Sequence, residues 1–152
     1  MADAVLFKVE GLKELGEAFK RITADMQVRA ARSATGAAAT PIKRRAIANI
    51  RSSPSVETGA LTKSVIVKRL PKNQTPPDTS EHLVTVRGRG KKLKSGKIQN
   101  SAPYASKVEF GTVHMPAEPF LRPALDAGKG EAVEAMKKSL AKSIKRAQDG
   151  KP

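Results

Sequence analysis

The chain has 152 residues, about one ordinary domain, with 39 % hydrophobic residues but only 3 % aromatic and no Trp, so its core must be built from aliphatic side chains. It has no cysteine, which excludes a disulfide framework and any thiolate metal site. Against 14 Asp and Glu stand 29 Lys and Arg, a net charge of +15, so the expected partners are polyanions, with simple solubility charge as the alternative. The excess concentrates in residues 51–103, which hold 11 basic and 3 acidic side chains. No apolar run is long enough to span a bilayer, and the N-terminus lacks the charged and apolar segments of a signal peptide.

In chain order, Val5, Phe7 and Val9 alternate as in a short strand that ends at Gly11. From Leu12 the period changes: Leu12, Leu15, Phe19, Ile22 and Met26 form one helical stripe, and alanines continue it. The spacing predicts one long helix, or two in line, over about 12–50, with a kink or split at Pro41. This helix either lies on a sheet or pairs in a coiled coil.

Val65 to Leu70 and His82 to Val86 are strand patterns, separated by the proline-rich loop 71–80. The segment 87–97, RGRGKKLKSGK, follows; it has three glycines and six basic residues and nothing to bury, and it reads as a flexible cationic loop. Tyr104, Val108 and Phe110 suggest a half-buried strand beyond it, which makes a long basic hairpin with the strand before. Gly111 ends that strand in a turn, and Pro116 and Pro119 favour an extended connection. Pro123 sits in a first helical turn whose Leu121, Ala124 and Leu125 face inward. Ala127 to Gly130 then interrupts, and a C-terminal helix over about 131–147 carries the stripe Val133, Met136, Leu140, Ile144 and Ala147. Its acids Glu131 and Glu134 come first and its bases last, matching the helix dipole. The expected fold is a single α+β domain over 1–152: a small, mostly antiparallel sheet with a long basic hairpin, packed by the long N-terminal helix and the C-terminal helix.

No catalytic constellation stands out. His82 and His114 lack neighbouring ligands and read as solvated; the carboxylates show no acid/base or metal spacing; Gly88 and Gly90 lack the remainder of a nucleotide-binding loop. The reading is therefore a non-enzyme without cofactor or metal. Arg87, Arg89, Lys91, Lys92, Lys94 and Lys97 could neutralise phosphates or meet an acidic protein, or be a merely solvated tip. With no aromatic among them they offer no stacking platform for single strands. The C-terminal helix, without bulky aromatics, is poorly suited to lie on a membrane, and none is expected as a partner.

Two motifs carry a resemblance. Thr58-Gly59-Ala60-Leu61-Thr62-Lys63-Ser64 and Val108-Glu109-Phe110-Gly111-Thr112, the second continued by Pro116-Ala117-Glu118-Pro119-Phe120-Leu121-Arg122-Pro123-Ala124-Leu125, resemble the signature of tailed-bacteriophage tail-completion, neck or head–tail joining proteins. The resemblance implies a virion protein of the neck or tail, made in the host cytoplasm. It also implies a homo-oligomeric ring that meets other neck and tail proteins, with double-stranded DNA passing through its lumen. It further implies that Gly59 and Leu61 belong to a recurring segment before the first core strand, and that Glu109, Phe110, Gly111 and Thr112 set a strand and turn. Pro119, Phe120, Leu121, Arg122 and Pro123 would seat the C-terminal helix, with Glu109 and Glu118 as candidate partners of Arg122. The alternative is a small basic protein that binds DNA without sequence preference; a membrane-active basic protein is a weaker third.

Overall fold

The computed structural model describes residues 12–53, 59–75, 79–88 and 102–149. Two long helices dominate. α1 (Leu12–Lys20) is followed closely by α2 (Ala24–Ser52), and the chain ends in α5 (Leu121–Gln148). Between them lie α3 (Ala60–Ser64), β1 (Val65–Arg69), β2 (His82–Val86) and α4 (Ala105–Phe110), with a 3-10 turn over Lys72–Gln74. This is the α+β arrangement expected, with a two-stranded antiparallel sheet in which Val67 faces Val84. The strand pattern at Val5 to Val9 lies outside the described residues.

The N-terminal helix breaks, but not at Pro41. The break falls at 21–23, where the Gln27 amide donates to the carbonyls of Phe19 (3.2 Å) and Ile22 (3.0 Å) and satisfies the end of α1. Pro41 lies buried inside a continuous α2. Its ring removes one helical hydrogen bond, and the packing of α2 on α5 and the sheet outweighs that loss.

α2 and α5 run antiparallel. Ser33 meets Ser139, Arg44 and Arg45 meet Glu131, and Asn49 donates to the Phe120 carbonyl (3.0 Å), so advancing along one helix retreats along the other. Small buried residues make the contact close: Ala30, Ala34, Ala39 and Ala46 on α2, and Ala124, Gly128 and Ala132 on α5. A Cβ at Gly128 would lie only 3.2 Å from Arg45 Cδ and 3.4 Å from Ile42 Cγ1. That close approach explains why α5 runs unbroken through Ala127 to Gly130, correcting the expected interruption and the start at 131. Two glycines cost a helix about 2 kcal/mol, which the helix–helix contact offsets. At Gly130 a Cβ would meet nothing within 4 Å, so Gly130→Ala should raise stability by about 0.5–1 kcal/mol, read as a higher urea midpoint at unchanged slope.

The core gathers Ala46, Ile50, Leu61, Val65, Ala102, Ala105, Val108, Phe120 and Ala124, with Val84, Val86 and Met115 packed on it. It is aliphatic except for Phe120, as composition requires. Leu125, expected inward, is exposed.

Residues 105–110 are helical, which corrects the strand expected there. Ala105, Val108 and Glu109 are buried at i, i+3 and i+4, while Tyr104 and Phe110 point outward. β2 pairs with β1 across the loop 70–81. Residues 89–101, on which the expected basic hairpin rests, lie outside the described residues. The ends of that segment do meet, through the Ala102 N–H donating to the Arg87 carbonyl at 2.8 Å.

Candidate interaction surface

The joint between α4 and α5 is the most heavily bonded irregular stretch among the described residues. Gly111 leaves α4 with φ 75° and ψ −178°. Thr112 and Met115 then close a tight turn, the Thr112 N–H donating to the Met115 carbonyl at 2.8 Å and the Met115 N–H returning to Thr112 at 3.3 Å. The Glu118 N–H donates to the Val108 carbonyl at 2.8 Å, and the Ser53 hydroxyl donates to the Glu118 carboxylate. Pro119 sits on the exposed connection, and Pro123 occupies the first turn of α5.

Glu109 is the centre of this joint. Its buried carboxylate accepts the backbone N–H groups of Phe120 (2.8 Å), Leu121 (2.9 Å) and Arg122 (3.1 Å). These are donors that the helix itself leaves without partners, at its positive end. Glu109 thus meets Arg122 through its amide and not its guanidinium, which corrects half of the ion pairing expected. The side chain of Phe120, the residue before α5, is buried and makes no cap, so the cap arrives from α4.

At the other motif, Gly59 takes the left-handed conformation (φ 64°, ψ 3°) at the start of α3, and Leu61 is buried. The Ser64 hydroxyl, fully buried, donates to the Ala60 carbonyl at 2.6 Å. Both motifs therefore act on the backbone, and both feed the same core.

Beside the joint lies an apolar groove of about 960 Å³, walled by α2, β2, α4 and α5. Ile42, Val84, Phe120 and Met136 line it, and Leu83, Phe110 and Leu125 (45, 70 and 47 % exposed) stand at its rim. Val113, 97 % exposed, caps the tight turn nearby in sequence. Large apolar side chains held open to water on an ordered frame mark a surface that meets another. Sequence periodicity did not reveal the groove; the outward position of Leu83 in β2 was its one local sign.

His82 is not freely solvated. The Thr35 hydroxyl donates to the Ala31 carbonyl at 2.9 Å and its oxygen lies 2.9 Å from His82 Nδ1, which assigns the proton of the neutral ring to Nδ1. Gly36 leaves room for the ring, a Cβ there lying 3.4 Å from Nε2. Burial, with the Arg69 charge adding to it, holds the His82 pKa below its ordinary value of 6.5. The unfolded chain therefore binds more protons between the two values, so this contribution is complete above pH 6.5 and is lost as pH falls through the lower folded value. The urea midpoint should fall between pH 7.5 and 5.5, and His82→Gln should flatten that part of the profile. Glu131, exposed and lowered first by its hydrogen bond from Arg45, titrates in a more acidic window and leaves the test clean.

Of the basic residues expected to touch a polyanion, Arg87 is described: its N–H donates to the Ser64 carbonyl at 2.9 Å. Arg89, Lys91, Lys92, Lys94 and Lys97 lie outside the described residues. His114 is exposed. Among the described residues no group of His, Asp and Glu could hold a metal ion, and no helix is long and apolar enough to cross a membrane.

Residues 13–111 match the family described as "Bacteriophage HK97-gp10, putative tail-component". The chain belongs to that family. The matched span holds α1 to α4, the Gly59 motif and the first half of the joint, and ends at Gly111 itself. No curated protein and no solved structure matches the chain significantly.

Proposed function

We propose that this member of the HK97-gp10-like family is a structural, non-enzymatic neck or tail-completion subunit of the virion, forming a ring around the DNA channel and joining head to tail. The match of residues 13–111 to a tail-component family carries the reading. The +15 charge suits a wall along which a polyanion passes, and the exposed Phe110 and Val113 suit contact with protein neighbours. Electron microscopy of the purified full chain should show rings, and particles made without it should accumulate as separate heads and tails. Protein that stays monomeric at every concentration, together with normally joined particles, would sink the proposal.

The charge concentrated in 51–103 favours one other reading, a sequence-independent DNA-binding protein acting alone. In that case the affinity for duplex DNA falls steeply with salt. Replacing Arg87, Arg89, Lys91, Lys92, Lys94 and Lys97 by Gln should then reduce the log–log salt slope by roughly 5. An unchanged slope removes the basic segment as the contact.

A further inference from the structure

A cluster of cations stands on the seam between α2 and α5, at the end of the pair away from the joint. Ser33 and Ser139 touch there at 2.8 Å, on the exposed side of the seam. One turn back along α2 from Ser33 is Arg29. The helices run antiparallel, so the same level on α5 lies one turn beyond Ser139, between Lys142 and Arg146. Lys138, Lys142 and Lys145 follow at spacings of four and three, which puts them on one stripe of α5 with Arg146 beside it. All five side chains are exposed, and among the described residues none of them has an ion-pair partner.

Neighbouring acids on the two helices do not neutralise the cluster. Glu134 is bonded to Lys137 at 3.1 Å. Asp25 and Asp149 stand one turn outside it at either end, without an ion pair among the described residues. Nor does the fold gather these charges for its own sake. The helix dipole favours Lys145 and Arg146 in the last turn of α5. Lys138 and Lys142 lie before that turn, and Arg29 lies in the second turn of α2, towards the positive end of that helix. Like charges four residues apart, as at 138 and 142 and at 142 and 146, repel each other. Further along the same seam the charges are matched, Arg44 and Arg45 by Glu131.

We infer that this end of the α2–α5 seam is a contact for the phosphate backbone of double-stranded DNA. The inference deepens the proposed function and rests on its reading of duplex DNA as the polyanion beside the protein. A duplex presents one phosphate charge about every 1.7 Å along its axis, so long flexible cations can each find one whatever their exact spacing. An acidic protein would have to place carboxylates opposite each cation. No aromatic stands among the five residues, so they offer no platform on which the bases of a single strand could stack. The contact neutralises phosphates and reads no sequence.

Titration of the full chain with a short labelled duplex over a range of salt tests this. Arg29→Gln/Lys142→Gln/Arg146→Gln should lower the log–log salt slope by roughly 2–3 and weaken low-salt binding at least about tenfold. Lys142→Gln alone, a change at one exposed position, should lower the slope by about 1. Lys107→Gln/Lys129→Gln/Lys137→Gln removes the same charge from α4 and from ion-paired positions of α5 and should leave the slope unchanged. Arg29→Lys/Lys142→Arg/Arg146→Lys keeps the charge and should bind as the natural chain does. An unchanged slope in both seam variants overturns the inference, as does an equal loss in the two triple Gln variants, which would make the attraction one of net charge. Salt-sensitive binding to polyglutamate with none to the duplex overturns it in favour of an acidic protein. Ring formation is read separately by microscopy: rings with an unchanged slope sink this surface and spare the ring, and a slope that falls without rings does the reverse.

Discussion

Glu109→Ala should lower the folding stability by about 3 kcal/mol, a fall in Tm of roughly 6–12 °C for a domain of this size. The carboxylate accepts three successive amides at the start of α5, and the Phe120 end of the helix is buried, so water cannot replace it. Removing a cap usually costs about 1 kcal/mol. Here the loss is larger because the acceptor is charged, serves three donors and also ties α4 to α5. Glu109→Gln keeps one acceptor oxygen, turns an NH₂ donor towards the amides and loses the attraction of the helix dipole, so about half the effect is expected. Glu109→Asp, one methylene short, should behave nearer to Ala than to Gln. Exchange at the Leu121 and Arg122 amides should rise in step with the loss. A variant that leaves both the Tm and those amides unchanged would show that the joint does not rest on this side chain.

How far the sequence was readable follows from the range of the forces involved. The helical stripe at Val133 to Ala147 and the strand patterns at Val65 and His82 are local, and the structure has those elements, whereas the stripe from Leu15 to Met26 is divided between α1 and α2 by the break at 21–23. Over the six residues of α4 the two periods cannot be separated: Tyr104 and Val108 are four apart, Val108 and Phe110 two, and burial of Ala105 and Glu109 decides for a helix. The glycines at 128 and 130 oppose a helix locally, and only the approach of Ile42 and Arg45 reveals why Gly128 belongs in one. Glu131 looked like a first-turn acid; α5 begins ten residues earlier, and its carboxylate instead meets Arg45 (2.6 Å) and Arg44 (2.7 Å) on α2. Those exposed contacts contribute little to stability. Glu109 itself was visible as part of a motif. Its action was not, because its partners lie 11 to 13 residues onward and meet it only once the joint has formed.

Gly111→Ala should be the most damaging single methyl group in the protein, costing about 3–5 kcal/mol and leaving much of the chain unfolded if its stability is ordinary. Two effects add. With φ 75° and ψ −178° the backbone occupies a region that L-residues avoid almost entirely, reserved in practice for glycine. In addition, the new Cβ would lie 2.8 Å from the Ala117 nitrogen and 2.9 Å from the Met115 carbonyl oxygen. Both are main-chain atoms, and that carbonyl is held by the Thr112 amide, so the clash cannot be relieved by rotating a side chain. Gly59 supplies the control. Its φ is also positive, at 64°, but its ψ is 3° and a Cβ there meets nothing within 4 Å, so Gly59→Ala should cost only about 1 kcal/mol. Asn, which tolerates the left-handed region, should recover most of the loss at 59 and none at 111. Chemical denaturation of the four variants gives the answer. Equal costs for alanine at the two glycines would mean that the turn relaxes, and that the joint between α4 and α5 is softer than its hydrogen bonds imply.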